Sequence, residues 1–320
     1  MRTYALASLL VLGGWISLPQ TAEASGERDE AYRSLSTQRK HQIERLKEYR
    51  EKGIFPLNHE EPDKPVYVFV GPDGELCAVA NLIIQSGGQE LVQRIAKENN
   101  HLRIADVTEG PVFDWILRSG LTKEECVLIQ EPYIGDDDSE RRRIQRHLSQ
   151  VEETLLEKTE ESLQVAVDRF LTTEELYRTL SAQRKLQIER VREYRERGVF
   201  PLNHENPGEP VFVFMGPDGE LCAVANLVFE SGGQELVRRI ARENNHLRIS
   251  DVTDGPVLQW ILSSGLTKEE CAFIQKPYIG DDDDEVRRIQ SHLIEVEEKL
   301  IDEGETSLRI AVARALAIQS

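Results

Sequence analysis

The chain contains one unit twice, without a gap. Each residue from Tyr32 to Arg169 can be laid on the residue 145 positions further on, ending at Arg314, and 99 of the 138 pairs are identical. PVYVFVGPDGELCAVANL in the first half answers PVFVFMGPDGELCAVANL in the second, and GLTKEECVLIQEPYIGDDD answers GLTKEECAFIQKPYIGDDD. A duplicated fold implies two like sites, or one site where the copies face each other. The period is far above the roughly 20–50 residues of a solenoid unit. Each copy has the length of an ordinary domain and can bury its own core.

The first 24 residues read as a processing segment. Arg2 is the positive start and Ala5 to Ser17 an apolar run too short to span a bilayer comfortably. Ala22-Glu23-Ala24 is an A-x-A cleavage site, with Ser25 as the new N-terminus. The expected organisation is 1–24 signal peptide, 25–171 first repeat domain and 172–320 second repeat domain. No later segment is apolar enough to span a membrane, so the expected location is periplasmic or secreted. A formal charge of −18 repels phosphate backbones and argues against nucleic acid as a partner. It attracts cations and basic proteins, and the expected partner is an envelope or secreted protein.

The pattern within one copy predicts an α+β, mostly α fold: two tandem helical domains, each with one small β-hairpin. A charged helix over 28–52 ends at Gly53, and a loop stiffened by Pro56, Pro62 and Pro65 follows. Val66 to Val70 is β-branched and aromatic. Gly71-Pro72-Asp73-Gly74 is a turn in which Pro presets φ and Gly takes the left-handed position, so Glu75 to Cys77 is expected to pair back. Ala78 to Gln85 reads equally as strand or helix. Helices follow over 89–98, from Pro111 to Gly120, and from the Thr122–Glu125 capping box to Gln130. A long amphipathic helix then runs to a break where Gly304 stands opposite Thr159. Thr172 to Glu175 reads as a further capping box that starts the second copy. This is not the alternating βαβ order of a nucleotide-binding sheet.

Four cysteines recur at equal spacing. Cys77 with Cys126 and Cys222 with Cys271 are the expected disulfides of an exported protein, each closing a loop of about 50 residues worth about 4 kcal/mol in the chain-entropy model. Buried free thiols are the competing reading. No catalytic motif stands out, and G-x-S-x-G is missing. The candidate ligand-binding residues are Asn58, His59 and Glu60 in the proline loop and their equivalents Asn203, His204 and Glu205. His101 and His246, with the acidic runs Asp136, Asp137, Asp138 and Asp281, Asp282, Asp283, are the candidate metal ligands, because a hard divalent cation wants clustered oxygens. The EF-hand pattern is absent, and Asp at a helix start has a simpler role as cap.

Phe55 to Asn58, Gly74 to Val79, Trp115 to Glu125 and Ile129 to Tyr133, repeated in the second copy, together resemble exported bacterial proteins of uncharacterised function. The resemblance implies an envelope location and no particular activity. None of the nine Asn is followed by Ser or Thr two residues on, so the chain has no N-glycosylation acceptor. The expected function is an exported, non-enzymatic binding or scaffold protein of two duplicated domains. The alternative is an envelope hydrolase using carboxylates or a His-bound metal, with His59 and Glu60 at its centre.

Overall fold

The computed structural model describes residues 22–58, 62–204 and 207–319. Residues 1–21, the bulk of the expected signal peptide, lie outside the described residues. The first copy comprises α1 (Ala22–Lys52), α2 (Ala78–Gln85), α3 (Gln89–Glu98), α4 (Pro111–Ser119), α5 (Lys123–Ile129) and α6 (Asp138–Glu157). The helix α7 (Thr159–Arg197) closes the first copy and opens the second. Then come α8 (Ala223–Glu230), α9 (Gln234–Glu243), α10 (Gly255–Ser264), α11 (Lys268–Ile274), α12 (Asp283–Asp302) and α13 (Gly304–Gln319).

The expected hairpins are absent among the described residues, and the α+β assignment is corrected to an all-helical fold. Only isolated bridges occur, Val70 with Leu76 and Val66 with Tyr133, and their counterparts Met215 with Leu221 and Val211 with Tyr278. The Gly71–Gly74 turn does form, with Gly74 N donating to Gly71 O at 3.1 Å. What stops the ladder is competition for the same backbone. Cys77 caps α2, its Sγ accepting from Ala80 N, so the returning strand ends as soon as it begins. On the other side, the Asn100 side chain accepts from Val70 N at 3.0 Å and donates to Val70 O at 2.9 Å. That side chain occupies the place of a partner strand, and Asn245 does the same for Met215.

Each copy has its own core. Phe55, Phe69, Leu82, Ile116 and Leu148 belong to the first, and Phe200, Phe214, Leu227, Ile261 and Leu293 to the second. Two satellite clusters flank them. Leu35 packs on Leu163, Ala166 and Val167 of α7, and Leu180 of α7 packs on Leu308, Ala311 and Val312 of α13. The expected breaks before Thr159 and Gly304 are present. The expected helix start at Thr172 is not. Thr173 Oγ1 donates back to Arg169 O at 2.7 Å, and α7 runs through. The copies are therefore fused by a continuous helix rather than joined by a linker.

One ion pair holds the helices of each copy together. Arg39 and Glu125 meet through two hydrogen bonds of 2.8 and 2.7 Å, and Arg39 also donates to Gly120 O and Leu155 O. Arg184 repeats this with Glu270, Gly265 O and Leu300 O. A single guanidinium thereby ties α1 to α5, to the end of α4 and to the end of α6.

Candidate ligand site at the junction of the two copies

The side chains singled out in the sequence are mostly absorbed by the fold. Asn58 is buried and donates from Nδ2 to Lys64 O at 2.7 Å, while its N–H bonds Gly135 O. Asn203 repeats both contacts with Glu209 O and Gly280 O. These asparagines staple the proline loop to the turn before the acidic run. His59, Glu60 and Glu205 lie outside the described residues. His204 is exposed, its Nδ1 3.8 Å from Asp281 Oδ2, so the loop and the acidic run are neighbours. His101 and His246 are not part of that neighbourhood. Their Nδ1 atoms lie 2.7 Å from the carbonyls of Tyr67 and Phe212, which makes those nitrogens donors.

The acidic runs act as caps. Asp137 accepts from Ser139 N and Glu140 N at the start of α6, and Asp282 accepts from Asp284 N and Glu285 N at the start of α12. The Ser139 hydroxyl and those two N–H groups hold the Asp137 carboxyl below its usual value. Asp138 lies 3.9 Å from Arg141. Among the described residues no group of three His, Cys, Asp or Glu side chains is placed to hold a metal ion, and His101 and His246 are bonded to carbonyls away from the Asp runs.

The four cysteines are free and buried, so neither expected disulfide is formed. The geometry is set by the helices: Cys77 is spent on the α2 cap and Cys126 faces the core from α5. Burial pushes the Cys77 and Cys222 thiols up to about 12, and raises Cys126 and Cys271 as well. Tyr49 and Tyr133, packed with Cys77, are raised by the same burial. A thiol or phenol held protonated in this way is a core residue and not a nucleophile.

What the fold leaves open is a cleft of about 260 Å³ between the copies. From the first copy, α4 contributes Phe113, Asp114, Leu117 and Arg118. Phe170, Thr173, Glu174 and Tyr177 come from the middle of α7, and Glu305, Arg309, Val312 and Ala313 from α13. Pro111 at the first turn sets the direction of α4, and Arg118 sits in its last turn, where a cation meets the negative end of the helix. Arg309 bridges the copies, donating to Asp114 of the first and to Glu305 of its own helix. Glu305 also accepts from the Tyr177 hydroxyl. Burial, followed by that bond to Glu305, pushes the Tyr177 phenol up to about 12. Arg314 reinforces the contact, 3.8 Å from Glu109 of the first copy and bonded to Glu269 at 2.6 Å.

The first copy shows why there is a cleft at all. Thr173 and Ala313 are the counterparts of Arg28 and Asp168, which form an ion pair of 2.6 Å. Arg28 also donates to Gln164 at 3.0 Å. In the first copy two charged side chains, 43% and 60% exposed, thus bridge the groove between first and last helix. At the junction two small ones leave it empty. Arg309 and Asp114 have also changed together, since their counterparts are Gln164 and Gln259. Of the ten lining residues within the aligned stretch, five differ from their counterparts, against 39 of all 138 pairs. What the copies keep does not mark this site; it is marked where they differ. No protein-family model, no characterised protein and no solved structure matches the chain.

Proposed function

We propose that the chain is an exported, non-enzymatic binding module whose ligand is taken between its two copies. The observation that carries the reading is the replacement of Arg28 and Asp168 by Thr173 and Ala313, two small side chains that line the cleft between the copies. The continuous α7 supports it, because a shared helix fixes the walls of the cleft relative to each other and little order has to be gained on binding. Export rests on the apolar N-terminal run and the A-x-A site. A non-enzymatic role is supported by the uses found for much of the candidate chemistry: thiols and phenols held protonated, aspartates capping helices, and the imidazoles of His101 and His246 bonded to carbonyls.

Native mass spectrometry of the full chain purified from its own envelope tests this. The expected result is a retained ligand that is lost when Thr173→Arg is combined with Ala313→Asp, the side chains that close the groove in the first copy. Retention unchanged by the filled groove, or hydrolysis of wall or peptide substrates by the purified chain, overturns it.

A further inference from the structure

The charges in the junction cleft do not all cancel, and the remainder defines a ligand. Asp114, Glu305 and Arg309 are bound to one another, with Tyr177 on Glu305. Arg118 and Glu174 stand outside that network. Among the described residues neither has a hydrogen-bond or ion-pair partner, and both act on the cleft only through space, Arg118 on Glu305 and Glu174 on Tyr177. The cleft therefore offers one guanidinium and one carboxylate beside an apolar wall that includes Phe113 and Phe170.

Resting on the binding reading above, we propose that this cleft binds a small zwitterion with an apolar body: an α-amino acid with an apolar side chain. Its carboxylate pairs with Arg118, its ammonium with Glu174, and its side chain lies on the phenylalanines. A ligand of one sign would leave one of the two charges, of which Arg118 is exposed and Glu174 partly buried, without a counterpart. A neutral apolar ligand would leave both. At about 260 Å³ the cleft is smaller than the roughly 300–1,000 Å³ that hold drug-sized molecules. That size has room for a single amino acid. Guanidinium and carboxylate form charge-assisted hydrogen bonds, often two in parallel, so Arg118 orients the ligand as well as attracting it. The first copy lacks such a site, because Arg28 and Asp168 already satisfy each other in its groove.

The test is calorimetric titration of the full chain with L-leucine and L-phenylalanine, each against its amide, which lacks the carboxylate, and its N-acetyl form, which lacks the ammonium. The free amino acids are expected to bind, and both blocked forms to bind about tenfold more weakly or less, as expected for losing a charge-assisted contact. Arg118→Ser, the residue of the second copy at this place, is expected to weaken leucine by a similar factor and leave leucinamide unchanged. A merely structural effect would weaken both alike. Thr173→Arg with Ala313→Asp is expected to abolish binding with the thermal midpoint kept.

No binding of any free amino acid overturns the proposal, as does leucine binding untouched by Arg118→Ser. Glycine betaine binding as tightly as leucine also overturns it, since betaine has the charges but neither the N–H donors nor the apolar side chain. If the amino acids fail while a natural ligand is still retained and lost on filling the groove, the zwitterion is refuted and the binding reading stands. If that retention fails too, both fall.

Discussion

Arg39 and Glu125 show how little of a residue's role is visible in its neighbours along the chain. The capping box at Thr122 is readable from the sequence, and it forms, with Glu125 N bonded to Thr122 Oγ1. That Glu125 is also the buried partner of Arg39, 86 residues away, is not readable, because Arg39 looks like one more charge on a charged helix. The side chains are 1% and 8% exposed, so removing either leaves a buried charge without its partner. Arg39→Ala is expected to lower the unfolding free energy by about 3–5 kcal/mol, measured by urea titration. A loss under about 1 kcal/mol would mark the pair as solvated. Burial by itself raises the Glu125 carboxyl, but hydrogen bonds from Arg39, Thr122 N–H and Ser162 outweigh it and hold it below the ordinary 4.5. A lowered folded value stabilises the protein above the unfolded value, and that stability is lost as pH falls through the folded value. The thermal midpoint is thus expected to decline below about pH 4.5 and to decline less steeply in Glu125→Gln combined with Glu270→Gln. The thiols give the opposite kind of test. With burial raising all four, native protein at pH 8 is expected to resist alkylation, and denatured, unreduced protein to take up four equivalents. Cross-linked peptides in its place would restore the disulfides.

At the scale of elements, the sequence was legible where a local signal faced no competitor. Gly53, Gly120 and the capping boxes at Thr122 and Thr267 mark real helix ends. It misled at the Gly71–Gly74 turn because the extended residues on either side are claimed by something distant, Asn100 on one side and the Cys77 cap on the other. It misled again at Thr172, where a capping sequence lies inside a helix that neighbouring helices hold straight. Packing of α7 against α1, α12 and α13 outweighs the small preference of a local cap. Gly120, and equally Gly265 in the second copy, carries a very tight crossing. Its φ is +75°, and a Cβ there would lie 2.2 Å from Leu35 O and 2.8 Å from Arg39 N. That approach lets Arg39 reach the Gly120 carbonyl. Gly120→Ala is expected to cost at least about 2 kcal/mol, since the left-handed conformation alone costs about 1–2 kcal/mol with a Cβ. Equilibrium unfolding checks it, and Gly74→Ala is the control, having the same strain but open space around its Cβ.

At the scale of the whole molecule, duplication was plain from the chain, but the way the copies are joined was not. Identity between copies reports the shared fold and hides the interface, since only one junction exists in a tandem pair and each copy meets it with a different face. The boundary at 171/172 nevertheless has physical content, although it falls inside α7. Every buried member of the first core and its satellite lies at or before Val167, and every buried member of the second pair of clusters lies at or after Leu180. Cutting α7 there severs backbone hydrogen bonds of one helix and the Arg309–Asp114, Arg314–Glu109 and Arg178–Glu27 contacts, but takes no buried residue from either core. A fragment of 25–171 is therefore expected to be soluble and to unfold cooperatively, as is one of 172–320, each with a lower midpoint than the full chain. The loss should be modest, because partly exposed ion pairs contribute little apiece. Mixed in equal amounts, the fragments are expected to associate weakly if at all, since the intact α7, and not the area between the copies, keeps the cleft assembled. Calorimetric unfolding of each fragment and sedimentation of the mixture check this. A fragment that is molten alone and ordered only with its partner would mean that the copies share a core across α7.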